Sequence, residues 1–574
     1  MKNLTKKIVA TMLAVPMLVT AAACANLGDP GGVPTENVDT NRTQLYVFNY
    51  HGGYGSQWLL NVKQEFEELH KEDVYEEGKK GVQIMINAQK KDIIPGEVPN
   101  GQDEVFFAES AYYYTLKSFN ALEDISDAVT TEIAGDNGKT VESKMTAEQK
   151  AYYGIEESDG KTHYYGLPHY DSYAGITYNK TLFDTKNLYF AATPDPEVPS
   201  PEKYFVYGKG DTKSAGPDGE MGTDDDGLPA TFDEFFLLME YMKQKKVTPI
   251  VWNGYRYYTY LNWFVQALVA QYEGLDEMMK NFTLSGEAND LGTVDASGNF
   301  VPDSASTTLS DSKESAIEMS RQAGKYYAIK FMKELIDLNK QGGYTHDSVF
   351  SSGYMHTTAQ RDFIIGAADG VSQDIGMLIE GMWWENEAKN NNSFDVAATF
   401  GVSDTEFALM PLPHATQEKY DAVKAKHEAD GTPTNTLIDQ LFSLVFVKRG
   451  ISAEKKPLAI EFIKFCNSDE QLVKYSLTTN TVKSLTYSIP SDKLGQMTYF
   501  GQSIYNLKKN SSVVYPYAQS NLYKNNQGRF GAFDMYYSTS SQTYRWVTDG
   551  MRANVSVKDY FEGIKNYNTN YNWQ

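Results

Sequence analysis

Residues 44–69 read QLYVFNYHGGYGSQWLLNVKQEFEEL, and a change of period within them sets the fold class. Residues 44–50 are a β-rich run, and His51-Gly52-Gly53-Tyr54-Gly55 is a turn. From Trp58 on, Leu59, Val62, Phe66 and Leu69 recur at three- or four-residue steps, the spacing of one helix face. Further strands are expected at 82–86 and 104–108, with a helix over 112–122. The same grammar returns downstream. A long helix is expected over 313–339, with Tyr327, Phe331, Leu335 and Leu338 on one face and Gly342-Gly343 at its end. Strands follow at 375–379 and 441–447, then a helix over 455–466. Strands alternating with helices imply an α/β chain with parallel sheets and crossover helices.

The chain has 574 residues, beyond the roughly 250–300 at which a single core stops growing, so two lobes are expected. Its 52 Lys+Arg and 75 Asp+Glu give a net charge of −23, which argues against a nucleic-acid partner. Hydrophobic residues make up 41% and charged ones 22%, a globular rather than a disordered balance. Tyrosine contributes 41 residues to an aromatic share of 13%, which suits flat, neutral, hydroxyl-rich ligands.

The N-terminus carries an address. Lys2, Lys6 and Lys7 precede an apolar run over 8–19, too short to span a membrane, and then Ala21-Ala22-Ala23-Cys24. This resembles a bacterial lipoprotein signal with Cys24 as the acylated residue; ordinary signal-peptidase cleavage is the alternative. Residues 25–43, rich in Gly, Pro, Asn and Asp, read as a flexible tether. With Cys24 lipidated, Cys466 has no disulfide partner and reads as a small core residue.

Three segments carry a family resemblance. LPHYDSYAGITYNKTLFD (167–184), IGMLIEGMWWENEA (375–388) and FALMPLPHA (407–415) are similar, in order, to motifs of bacterial extracellular solute-binding proteins of family 1. These are the capture subunits of ABC importers, mostly for carbohydrates. The resemblance implies two doubly wound α/β lobes of the periplasmic-binding-protein type II kind, with the ligand in an interlobe cleft. Lobe 1 is then expected to hold 44–170 and 413–486, and lobe 2 to hold 171–412 and 487–574.

Sugars present apolar C–H faces ringed by hydroxyls, so their sites need aromatic platforms flanked by donors and acceptors. The resemblance points to Trp383 and Trp384 as the block that supplies a stacking ring, with Glu385 as a hydroxyl acceptor. Adjacent tryptophans cannot face the same way, so one is expected in the cleft, Trp383 by its Gly-x-Trp spacing, and the other in the core. Tyr54 follows the first strand where cleft loops belong, whereas Trp58 reads as the inward face of its helix. Glu109, ending the third strand, is either a hydroxyl ligand or the N-cap of the next helix. Asp171 sits at the first expected crossing between lobes. Trp252 and Asn253 follow the strand-like run 247–251 in the second lobe. Arg529 and Phe530 are further candidates, Arg529 being the only basic residue expected near the cleft.

The loop DTKSAGPDGEMGTDDDGLP (211–229) packs six acidic residues among glycines. A structural Ca²⁺ held by Asp211, Asp218, Asp224 and Asp226 is one reading, although the spacing is not that of an EF-hand. A solvated acidic loop is the other. For catalysis, the sequence has no His-Glu-x-x-His and no Gly-x-Ser-x-Gly. Gly138-Lys139-Thr140 lacks the first glycine of a P-loop, since that position is Ile133. The expectation is therefore a monomeric, non-enzymatic, lipid-anchored protein on the outer face of a bacterial cytoplasmic membrane, passing an oligosaccharide to an ABC permease. A secreted glycoside hydrolase and a non-transport carbohydrate sensor are the alternatives.

Overall fold

A computed structural model describes residues 36–206, 212–254, 258–526, 530–538, 543–544 and 547–573. The leader, Cys24 and most of the tether lie outside the described residues. Among those described, no helix is long and apolar enough to cross a membrane.

Two separate sheets organise the chain. The first runs Val82–Gln89, Thr43–Tyr50, Val105–Ala108, Leu444–Val447, Leu167–Pro168 in spatial order. Its first three strands are parallel, and Leu444–Val447 joins antiparallel to Val105–Ala108. Helix Gln57–Leu69 crosses between the first two strands and buries Trp58, Leu59, Val62 and Phe66. Those are the apolar positions at helical spacing, now the stripe that meets the sheet. Leu69, the last of the series, is 63% exposed.

The second sheet runs Phe407–Met410, Ala174–Asn179, Ile375–Gly381, Thr248–Val251. Ile375–Gly381 is parallel to Thr248–Val251 and antiparallel to Ala174–Asn179. All seven residues of Ile375–Gly381 are buried, as a central strand covered on both faces requires. Only residues 169–173 separate Leu167–Pro168 of the first sheet from Ala174–Asn179 of the second.

The structure departs from the expected elements in three places. The helix expected over 313–339 is broken into Lys313–Glu318 and Ala323–Gln341. Gln322 between them is extended (φ −62°, ψ 138°), and its side-chain amide bonds to Asn281, Lys325 and the Glu277 carbonyl, buried contacts that helical backbone would forfeit. The helix expected over 112–122 is shorter, Tyr113–Ser118, and Asn120 turns the chain in the left-handed region at φ 55°. Finally, residues 413–438, expected in the first lobe, lie against the second. The His414 amide donates to the Ala230 carbonyl and the Phe232 amide to the His414 carbonyl, and Asn435–Ile438 packs on helix Tyr258–Thr283 while pairing with Ser511–Val514.

Candidate functional site

The carboxyl ends of strands from the two sheets come together where the lobes meet, and this contact is the expected cleft in its closed form. From the first lobe come Tyr50, which ends Thr43–Tyr50, Lys90 after Val82–Gln89, and Glu109 after Val105–Ala108. The loop after Tyr50 is fixed by a turn in which Gly55 (φ 68°) donates to the Gly52 carbonyl. Asn49 Nδ2 also ties it down, to the Gly55 carbonyl at 3.2 Å and Ser56 Oγ at 2.9 Å. From the second lobe comes Trp383, two residues past Ile375–Gly381. Its ring lies over Gly381, where an added Cβ would be 2.1 Å from the indole. Tyr260 and Trp263 pack on it, each at 5.4 Å between centroids. The lobes touch here: a Cβ added at Gly53 would sit 2.7 Å from Trp383 Cβ.

Charged groups line the same contact. Glu109 is 8% exposed and accepts the Tyr170 hydroxyl at 2.5 Å. Burial pushes its carboxyl up to about 7, against the pull of Tyr170 and Lys90. Helix Tyr113–Ser118 has Tyr112 at its N-cap, with no side-chain cap bond, so Glu109 does not serve as the cap. Lys90 reaches across the lobes to Glu387 at 3.8 Å. Glu387 also pairs with His356 at 3.3 Å and accepts from Gln360 at 2.8 Å. Burial would raise Glu387, but His356 and Lys90 outweigh it and hold the carboxyl low. Its neighbour Glu380, fully enclosed, is driven well up by burial and by Glu387.

The candidate residues divide. Tyr54, Glu109 and Trp383 gather at or beside the cleft. Tyr54 is spent on the interlobe connection, its hydroxyl donating to the Asp171 carbonyl at 3.2 Å and its ring meeting Tyr170 edge-on at 4.5 Å. Trp384 is in the second-lobe core, ringed by Phe363, Phe407 and Phe500. Trp252 is fully buried beside Phe350, and Asn253 is 2% exposed. The segment carrying Thr345 and Phe350 runs beside the edge strand, Thr345 bridging to Ile250, and Phe350 meets the Trp252 ring edge-on at 5.8 Å. Glu385 accepts from Thr498 at 3.0 Å and pairs with Lys389 at 3.3 Å, anchoring the chain ahead of helix Tyr499–Lys509. Phe530 is buried against Phe282 and Tyr523, and Arg529 lies outside the described residues. Among the described residues, Lys90 brings a positive charge to this contact.

Asp171 belongs to the hinge. It is wholly buried, accepts from the Tyr173 and Tyr515 hydroxyls and pairs with Lys508 at 2.5 Å. Ser172 beside it donates from its amide and its hydroxyl to Asp439 Oδ1, both at 2.8 Å. Thus the connection at 169–173 and the return near 439–443 are laced together. Burial, with the Asp171 charge, pushes Asp439 up to about 8.

In the acidic loop, each described carboxylate has a partner within the protein. Asp218 accepts the Glu220 amide, Asp226 the Gly222 amide, and Asp224 the Asn506 side chain at 2.7 Å. Among the described residues no group of three or more ligating side chains converges as a metal would require, and Asp211 lies outside them.

The sequence missed Tyr50, Lys90, Tyr260, Trp263, His356 and Glu387. Tyr260 and Trp263 stand three apart on one helix, a spacing that put them on one face; the others carry no local signal.

No protein-family model matches the chain, and no curated protein is significantly similar to it. Solved structures do match. The SBP RafE in complex with raffinose is 12% identical at a TM-score of 0.51, over 92% of this chain and 100% of that one. A chitin oligosaccharide binding protein is 12% identical at 0.50, over 92% and 98%. A protein from work on xylan utilization by the thermophilic bacterium Caldanaerobius polysaccharolyticus is 12% identical at 0.52, over 91% and 99%. At such identity the likeness establishes the fold: α/β, in two doubly wound lobes, of the kind these binding proteins share.

Proposed function

We propose that this protein captures an oligosaccharide between its lobes and delivers it to the permease of an ABC importer, without chemically altering it. The observation that carries the reading is the meeting of the two lobes' strand ends at Gly53 and Trp383, with Tyr260 and Trp263 behind and Glu109, Glu387 and Lys90 around them. Rings offer platforms to sugar C–H faces, carboxylates accept hydroxyls, and the ammonium donates. A ligand touching both lobes binds the closed arrangement better than the open one and shifts the population toward it. The motif resemblance at 167–184, 375–388 and 407–415 supports membership in solute-binding family 1. The raffinose- and chitin-oligosaccharide-binding neighbours support a carbohydrate. Lipid anchoring at Cys24 and a place on the outer membrane face rest on the leader sequence.

Calorimetric titration with malto-, xylo-, manno- and milk-type oligosaccharides, with product analysis of the same samples, tests the reading. Micromolar or tighter binding with the sugar recovered intact is the expected result. Cleaved sugar would make the protein a glycoside hydrolase, and no binding across the panel would remove the carbohydrate assignment.

A further inference from the structure

Away from the cleft, on the flank of the second lobe, a cavity of about 250 Å³ opens between the acidic loop, strands Ala174–Asn179 and Phe407–Met410, and helix Tyr499–Lys509. That lies just below the roughly 300 Å³ at which drug-sized pockets begin, so an occupant would be small. Its lining includes Asp218, Asp224 and Asp225, the rings of Tyr178 and Tyr499, and the Asn435 amide. None of its lining residues is basic. The nearby Lys180 is already paired with Asp184 at 2.7 Å and Glu406 at 3.3 Å.

Tyr178 supplies an independent sign of a ligand. It is 2% exposed, and its ring packs on Phe183 at 4.7 Å. Its hydroxyl makes no hydrogen bond among the described residues, although it faces the cavity side where Tyr499, Asp224 and Asp225 lie. The hydroxyl is not one of the oxygens sealed in the interior, so it opens to the cavity, where an occupant can bond it in place of solvent. The carboxylates are likewise crowded. Asp225 accepts the Asp218 amide at 2.9 Å and the Thr223 hydroxyl at 2.7 Å. Burial and the charge of Asp218 push Asp225 up to about 7. A cation in the cavity would relieve that repulsion, while the Tyr499 face is already taken by the Lys180 ammonium at 4.9 Å.

We propose that this cavity binds a small organic ammonium ion, with Asp224 and Asp225 as its counter-charges and Tyr178 as a hydroxyl partner. The site is independent of the interlobe ligand.

Putrescine is the probe, titrated calorimetrically into the purified protein with no sugar present, beside mannitol as a neutral compound of similar size. Saturable putrescine binding is expected, with none for mannitol. Asp224→Asn should weaken it on the order of tenfold, and Tyr178→Phe several-fold, as the loss of one charge-assisted or one neutral hydrogen bond would. Tyr178→Phe keeps the ring packing, so it reports even if Asp224→Asn does not fold. No saturable putrescine binding would overturn the proposal. So would an affinity unchanged in every folded variant, or mannitol binding as tightly as putrescine.

Discussion

Gly53 of the first lobe lies against Trp383 of the second so closely that any side chain on it would enter the tryptophan: a Cβ there would be 2.7 Å from Trp383 Cβ. Gly53 is not in the left-handed region, so a substitution acts by bulk and not by backbone strain. Gly53→Val should therefore hold the lobes apart. Overpacking of this kind costs about 1–3 kcal/mol, or roughly tenfold to a hundredfold in ligand affinity. Solution scattering should show a larger radius of gyration, with the melting temperature of the free protein nearly unchanged because open lobes relieve the clash. Wild-type affinity in this variant would mean that the lobes do not close on the ligand.

The paired tryptophans have separable roles. Trp384→Ala empties a site walled by Phe363, Phe407 and Phe500, and should cost about 3–5 kcal/mol in a denaturant titration. Trp383→Phe keeps most of the bulk beside Tyr260 and Trp263 while shrinking the platform. It should lower sugar affinity about tenfold with a shift of only a few degrees in melting temperature. The reverse pattern would exchange their assignments.

Asp439 gives the hinge a pH dependence of known sign. Its carboxyl is raised from 3.8 to about 8, so between those values the folded protein retains a proton that the unfolded chain releases. Stability therefore falls as pH rises from about 4 to about 8 and levels off above. Asp439→Asn keeps an oxygen for Ser172 but cannot ionise beside Asp171. It should flatten the curve between pH 5 and 8 by up to about 1.36 kcal/mol per pH unit, leaving the slopes of the same sign from Glu109, Asp225, Glu273 and Glu380. An unchanged slope in urea titrations across that range would remove Asp439 from the hinge's charge balance.

Glu109 should give binding its own pH profile. With the carboxyl at about 7, sugar hydroxyls lose their acceptor as pH falls below that value. Affinity should weaken toward pH 6 in the wild type and stay flat in Glu109→Gln. Parallel profiles in the two proteins would place the ligand away from Glu109.

What the sequence revealed follows from which signals are local. The strand–turn–helix over 44–69 and the apolar strand leading to Gly381 are written in periodicity, and so were readable. Trp252 follows a strand as read, but position after a strand does not encode the contact with Phe350 that encloses it. Asp171 was placed at a crossing from its motif, but its ion pair comes from Lys508, more than three hundred residues away. Lys90, His356 and Glu387 converge in the same way, through pairings that no single segment encodes. The break at Gln322 was hidden because helical spacing continues on both sides, while the contacts that reward the extended residue come from Asn281 and Glu277.

Capture of one sugar by both lobes is tested most directly by hydrogen–deuterium exchange with and without a saturating oligosaccharide identified by calorimetry. Peptides covering residues 50–55 and 381–388 should gain protection together, in the same ligand concentration range. Protection confined to one lobe, or absent from both, would contradict a ligand held between Gly53 and Trp383.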